Sequence, residues 1–101
     1  MATNRMRPIH PGEILREEYL APLDLSAHAL AMALHVPAPR INDVVREKRS
    51  ITVDTALRLA RYFNTTAQFW MNLQSSYDLK VAEREVGGKI ESEVRPIQVA
   101  A

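Results

Sequence analysis

The chain has 101 residues, enough for one domain with a small hydrophobic core, and it contains no cysteine, which excludes disulfide bonds and thiolate metal sites. No apolar run has the character of a signal peptide or the length of a membrane span, so we expect a cytoplasmic protein. The formal net charge of +1 gives no general argument for nucleic-acid binding, but residues 40–49 are predominantly basic, and a DNA footprint needs only such a patch.

The N-terminal part of the chain predicts a flexible arm and a first helix. We expect a flexible arm over residues 1–8, for which a solvated tail is the commoner outcome; the alternative is that Arg5 and Arg7 reach a phosphate or a minor groove. Pro11 suits the first turn of a helix, and Pro22 ends it. The inner stripe of this helix is predicted to consist of Ile14, Leu15 and Tyr19.

Residues 25–52 predict two short helices joined by a tight turn. Ser26 is a good N-cap for the first of them, and Leu25 and Leu30 have the spacing of a hydrophobic staple. The small side chain of Ala31 lies where the helices would approach most closely. The apolar pattern breaks at residues 35–37 and then resumes, which is the outline of a helix-turn-helix.

The second helix of this pair is predicted to begin at residues 37–39, because proline is tolerated in a first turn but not in a helix interior. Its outward side then carries groups that can bind base edges in a DNA major groove. The predicted base-reading residues are Ala38, Pro39, Arg40, Asn42 and Asp43. The predicted phosphate contacts are Arg46, Lys48 and Arg49.

Two further helices follow in the predicted fold. Thr52 can cap the fourth helix, and Asn64 can adopt the left-handed conformation that ends it. Its predicted buried side consists of Val53, Ala56, Leu57, Ala60 and Phe63. Thr65 and Gln68 are spaced as a capping box for a fifth helix, which is expected to run to about Val86, where Gly87 and Gly88 stop it.

The fifth helix has two interpretations. Its aromatic and aliphatic residues can form an ordinary core stripe, or part of them can form the seam of a two-fold dimer, which we favour because one recognition helix makes limited contact with DNA. The predicted seam consists of Trp70, Leu73, Tyr77 and Val81. The expected organisation is therefore an arm at 1–8, a DNA-binding domain with a dimerisation helix at 9–86, and a tail at 87–101 that is either disordered or an added edge strand.

The block LAMALHVPAPRINDVVREKRSIT resembles the Xre-type helix-turn-helix, and specifically the HigA-type (VapI-like) antitoxin family. The resemblance extends over residues 8–80 and includes the opening at residues 9–15, LRLA at 57–60 and FWMNLQ at 69–74. Two departures stand out: His35 occupies a turn position often held by glycine, and Arg46-Glu47 replaces the usual Asn-Gly. The resemblance implies an all-α, five-helix lambda-repressor-like domain that acts as a dimeric repressor and silences a HigB-like ribonuclease toxin.

No pattern in the sequence indicates an enzyme. The three histidines lack metal-ligand spacing, and there is no nucleophile elbow or glycine-rich phosphate loop. We therefore expect no catalytic site, cofactor, metal, membrane or small-molecule substrate. The partners expected are operator DNA at the nucleoid, a second copy of the chain and a toxin. The alternatives are a toxin-binding module whose helix-turn-helix is mainly a scaffold, and a stand-alone regulator without a toxin.

Overall fold

Five helices make up the computed structural model, which describes residues 7–99. The first helix, α1, begins as an α-helical turn over Pro11–Ile14 and continues as a wider π-helical segment over Leu15–Leu20. The others are α2 (Ala27–Leu34), α3 (Ala38–Val45), α4 (Val53–Phe63) and α5 (Ala67–Glu93). Within the described residues there is no strand, so the predicted all-α, five-helix fold is confirmed. Most of the predicted arm, including Arg5, lies outside the described residues.

The α2–α3 pair forms as the local signals predict. The Ser26 hydroxyl accepts a hydrogen bond from the Ala29 amide at 3.0 Å, which caps α2. At the other end His35 has the left-handed conformation with φ of 59°, and the Val36 amide bonds to the Ala31 carbonyl at 3.1 Å. This is a Schellman motif made without glycine. Ala31 is fully buried at the helix crossing.

One hydrophobic core joins all five helices. Trp70 from α5 lies at its centre, with the Tyr19 ring centroid 5.0 Å and the Phe63 ring centroid 6.4 Å away. The indole nitrogen donates to the Thr65 hydroxyl at 2.9 Å, so this large side chain is buried with its polar atom satisfied. The buried apolar residues are Leu15, Leu20, Leu30, Ala31, Leu34, Val36, Ile41, Val44, Ile51, Ala56, Leu59 and Trp70.

The predicted buried side of α4 is partly wrong. Val53 and Leu57 are 60% and 57% exposed, whereas Thr55 and Leu59 are buried. Val53 and Leu57 are four residues apart, as are Thr55 and Leu59, so both pairs fit one side of a helix. The prediction chose the first pair because both of its residues are apolar. Thr55 can be buried because its hydroxyl lies 3.2 Å from that of Thr52, the cap of α4.

Both predicted ends of α5 need correction. The N-cap is Thr66, whose hydroxyl accepts from the Phe69 amide at 3.1 Å, rather than Thr65 of the predicted capping box. At the other end the helix does not stop at Gly87 and Gly88 but continues to Glu93. A glycine inside a helix costs only about 1 kcal/mol relative to alanine, so two of them do not dictate a stop. Residues 94–99 have no regular structure, and the predicted edge strand is absent from them.

The second half of α5 projects from the rest of the domain. The described chain measures 56 × 25 × 23 Å, and its radius of gyration is 17.2 Å. A compact domain of this length would have a radius of gyration of about 13 Å. The residues of α5 beyond residue 78 are therefore mostly surface, including apolar ones.

The start of α1 is held against the end of α3 by a close backbone approach. A Cβ atom at Gly12 would lie 1.8 Å from the Val44 carbonyl oxygen. His10 immediately before it is buried, accepts from the Gly12 amide through Nδ1 at 2.9 Å, and stacks edge-on against Tyr77 of α5 with ring centroids 4.9 Å apart. One short segment thus joins α1, α3 and α5.

The His10 cap gives the fold an expected pH dependence. Burial lowers the pKa of His10 below its ordinary value of 6.5, and the carboxylates of Glu47 and Asp78 oppose this only in part, while Arg16 adds to it. As pH falls below 6.5 the unfolded chain takes up a proton that the folded chain resists, so stability is lost until pH reaches the lower folded pKa.

Urea midpoints at pH 7, 6 and 5 measure this effect. His10→Asn retains a capping acceptor that cannot titrate, and we expect it to flatten the pH dependence in this window. His28→Asn, a change at an exposed histidine, is the control and should leave the dependence unaltered. Equal pH dependence in wild type and His10→Asn would contradict the prediction. The pKa values of Glu13 and Asp54 are lowered in the folded chain, so the stability that these two carboxylates contribute is lost at more acidic pH than this window.

Candidate nucleic-acid interface

The α3 helix has one buried side and one bare side. Pro37 is its N-cap, and Pro39 lies in its first turn, where an amide hydrogen would have no helical partner. Ile41 and Val44 are fully buried under the helix. The predicted base-reading residues lie around the remaining surface: Pro39 is exposed, and Ala38, Arg40, Asn42 and Asp43 are half-buried. Among residues 7–99 no other element covers this side completely, so α3 remains available to a groove.

Two of the predicted reading side chains are held by partners within the chain. The Arg40 guanidinium forms an ion pair with Asp54 at the start of α4. Asp43 accepts from Arg49 at 3.2 Å. Neither interaction could be inferred from the sequence, because the partners are 14 and 6 residues apart and meet only through the packing of α3 and the following turn.

The predicted phosphate contacts lie together in the turn after α3. Arg46, Lys48 and Arg49 are all exposed. The turn is a second Schellman motif, in which the Lys48 amide bonds to the Asp43 carbonyl at 2.8 Å and the Glu47 amide bonds to the Val44 carbonyl at 2.9 Å. Glu47 is its left-handed residue, with φ of 63°.

Arg16 from α1 offsets the negative charge that Glu47 brings to this turn. One guanidinium nitrogen lies 3.4 Å from the Glu47 carboxylate, and another donates to the Val45 carbonyl at the end of α3. Arg16 also pairs with Glu17 at 2.9 Å. These contacts fix the end of α3 to α1. The role of Arg16 in positioning α3 was not predicted from the sequence.

Arg58 of α4 binds the last carbonyl of α2, as Arg16 binds the last carbonyl of α3. Arg58 donates to the Leu34 carbonyl at 2.8 Å and, through Nε, to the Asp54 carboxylate at 2.9 Å. The hydrogen bonds from Arg58 and Arg40 lower the pKa of Asp54, so this carboxylate is ionised at neutral pH. The turn between α2 and α3 is thus connected through α4 to Arg40.

The predicted dimer seam needs one correction. Trp70 is fully buried within its own chain and is a core residue, so its inclusion in the seam is wrong. Leu73, Tyr77 and Val81 are half-buried along the same side of α5, which faces the domain. An apolar stripe that the sequence analysis missed lies on the opposite side, at Leu79, Val86, Ile90 and Val94. The stripe was not predicted because the helix was expected to end at about Val86, before Ile90 and Val94.

Among residues 7–99 no group of three or more histidine or acidic side chains is arranged to hold a metal ion. None of the described helices combines the length and the apolar character that crossing a bilayer would require.

The paired helices, the bare side of α3 and the basic turn behind it define a helix-turn-helix protein. A helix-turn-helix family profile matches residues 15–70. The chain is 67% identical to virulence-associated protein I of Dichelobacter nodosus over 82 residues, which cover 81% of this chain and 76% of that protein. The chain belongs to the Xre-type helix-turn-helix family, in its group of HigA-type, VapI-like antitoxins.

Solved structures agree with this assignment. The Pseudomonas aeruginosa antitoxin HigA, solved with the higBA promoter, superposes with a TM-score of 0.90 at 59% identity and covers 91% of this chain and 100% of its own. The antitoxin GraA in complex with its operator gives a TM-score of 0.90 at 45% identity, over 98% of this chain and 100% of its own. The predicted family is therefore confirmed.

Proposed function

We propose that this chain is a sequence-specific repressor that binds a palindromic operator as a homodimer and neutralises a ribonuclease toxin. The observation that carries the DNA-binding part is the bare side of α3, with Ala38, Pro39, Arg40, Asn42 and Asp43 around it. Ile41 and Val44 anchor the helix from beneath, so that the outer side is presented rigidly. Relatives solved with promoter or operator DNA support the same use of the fold here.

The direct test is a titration of the chain with its own upstream region and with a scrambled duplex of equal length, at several salt concentrations. A repressor should prefer the upstream region by about 10³-fold or more. Its affinity should also fall steeply with salt, because Arg46, Lys48 and Arg49 would displace counterions from phosphates. No sequence preference together with a weak salt dependence would refute the repressor and favour the scaffold alternative.

The homodimer is supported by the apolar stripe on α5. Leu79, Val86, Ile90 and Val94 recur at spacings of 7, 4 and 4 residues along the projecting half of the helix, and each is at least 41% exposed. Helical spacing of this kind places the four side chains along one side, where a second copy of α5 can pack by two-fold symmetry. Two α3 helices could then enter successive major grooves about 34 Å apart.

A charge in this stripe is expected to dissociate the dimer. Val86→Glu combined with Ile90→Glu would bury two carboxylates in the seam, and we expect the wild-type dimer to become a monomer in sedimentation. Both positions are exposed within one chain, so the thermal midpoint of the monomer should change little. Ser92→Glu adds a charge on the other side of the same helix and is the control that should remain dimeric. A double variant that sediments as a dimer would disprove this seam.

The toxin-binding part rests on the antitoxin group to which the chain belongs. An operator on the chromosome would also place the protein in the cytoplasm, at the nucleoid. Co-expression of the chain with the product of a neighbouring small basic reading frame tests neutralisation through cell growth. Growth arrest by that product, relieved by this chain, is the expected result. The absence of any such neighbouring toxin would favour a stand-alone regulator.

A further inference from the structure

We propose that Asp54, on α4 and outside the predicted reading helix, is a positioning residue that fixes the Arg40 guanidinium for base recognition and so sets operator specificity. This inference rests on the proposed DNA-binding function and deepens it. Asp54 lies in the first turn of α4. It therefore belongs to neither helix of the helix-turn-helix pair.

The ion pair between Arg40 and Asp54 restricts the arginine side chain. Arg40 donates through one terminal nitrogen to Oδ2 of Asp54, and the Arg40 side chain is 31% exposed. Arginine has up to about 2 kcal/mol of side-chain entropy to lose when it is immobilised. An Arg40 already held by a carboxylate has lost part of that freedom before DNA arrives.

Asp54 is itself held in place from the other side. The same Oδ2 accepts from Nε of Arg58 at 2.9 Å, and Arg58 is anchored to the Leu34 carbonyl at 2.8 Å. Hydrogen bonds thus run from the end of α2 through α4 to α3. The first turn of α4 is also a favourable place for a carboxylate, because the helix dipole is positive there.

The pair leaves Arg40 able to read a base. A guanidinium has five N–H donors, and the contact to Asp54 occupies a donor on one terminal nitrogen. The edge formed by Nε and the other terminal nitrogen keeps two parallel donors. That is the arrangement that binds O6 and N7 of guanine. Asp54 can therefore orient Arg40 while the arginine contacts DNA.

If Asp54 acted only through its negative charge, its removal would change DNA affinity in the opposite direction from the removal of a positioning residue. Loss of a carboxylate near DNA should strengthen binding to every sequence, since it removes repulsion from phosphates. Loss of a positioning residue should weaken binding to the operator relative to other sequences. The ratio of operator affinity to scrambled-duplex affinity therefore separates the two effects.

The experiment measures this ratio for the full chain and for Asp54→Asn, Arg40→Ala and the double variant. We expect Asp54→Asn to lower the ratio about tenfold in the wild-type background and to leave it unchanged in the Arg40→Ala background. Asp54→Glu, which keeps the carboxylate, should retain part of the ratio. Glu47→Gln removes a charge from the same surface without touching Arg40, and its amide oxygen can still accept from Arg16, so α3 should stay in place and affinity should rise for both duplexes alike.

A second readout follows the arginine directly. Nitrogen relaxation of the Arg40 side chain should show a restricted guanidinium in the wild type and a mobile one in Asp54→Asn. Thr52 still caps α4 in that variant, so its circular dichroism and thermal midpoint should remain close to wild type.

Two results would overturn the inference alone: an Asp54→Asn variant that behaves like Glu47→Gln, or one that lowers the ratio equally in the Arg40→Ala background. In both, a wild-type chain that still prefers its operator leaves the proposed function standing. A wild-type chain without any preference would overturn the proposed function and this inference together.

Discussion

Arg40→Ala is expected to reduce the preference for operator over scrambled DNA by roughly 1–3 kcal/mol, which is the discrimination that one bidentate arginine–guanine contact provides. The guanidinium lies on the side of α3 that faces α4, with donors left over after its contact with Asp54. Fluorescence anisotropy with both duplexes at one salt concentration measures the change.

Lys48→Ala is the matched control for Arg40→Ala. Lys48 is exposed in the turn after α3, where its charge can meet a phosphate but its side chain is not directed by a helix toward the bases. We expect that variant to weaken binding to both duplexes similarly and to make the salt dependence shallower. If Arg40→Ala also weakened both duplexes equally, Arg40 would be a phosphate contact and not a reader.

Gly12→Ala is expected to destabilise the domain by about 3 kcal/mol or more, which is a large part of the stability of a small domain. A methyl group at this position would lie 1.8 Å from the Val44 carbonyl oxygen, and that neighbour is backbone, which cannot rotate away. The N-terminus of α1 would have to move from α3 and release the hydrogen bond between the Gly12 amide and His10. Urea denaturation measures the loss.

Gly88→Ala makes the same chemical change as Gly12→Ala, but we expect it to raise the stability of the domain. In the described part of the chain, no atom other than those of the adjacent residues and of the helix's own backbone lies within 4 Å of the Cβ position at Gly88, which is inside α5. Alanine there should stabilise the helix by up to about 1 kcal/mol. Equal effects of the two substitutions would mean that the approach of α1 to α3 is looser than the structure indicates.

Signals that act within a few residues explain what could be predicted from the sequence. Ser26 and Thr52 cap the helices they were expected to cap, and Asn64 adopts the expected left-handed conformation. The hydrogen bonds of a cap involve neighbours in the chain, so these features depend little on tertiary structure. The start of α3 at Ala38 follows from proline geometry in the same way.

Features that depend on which surfaces meet could not be predicted. The position of Trp70 in the helical repeat of α5 is compatible with the core and with a dimer seam. Only the packing of Tyr19 and Phe63 around its ring decides that it is a core residue. On α4, Val53 and Leu57 have the same spacing as Thr55 and Leu59, and only the packing of the helix against its neighbours decides that the second pair is buried. The pairing of Arg40 with Asp54 requires α3 and α4 to be brought together first.

The α3 helix is bounded on both sides by a non-glycine residue in the left-handed conformation, His35 before it and Glu47 after it. A side chain there narrows the range of backbone angles that each junction can explore, in contrast to the wide freedom of glycine. The tilt of α3 relative to its neighbours is consequently settled when the protein folds. Association with a duplex should then require little reorganisation of the backbone, and selectivity would come from fit at a preset angle and not from adaptation on contact.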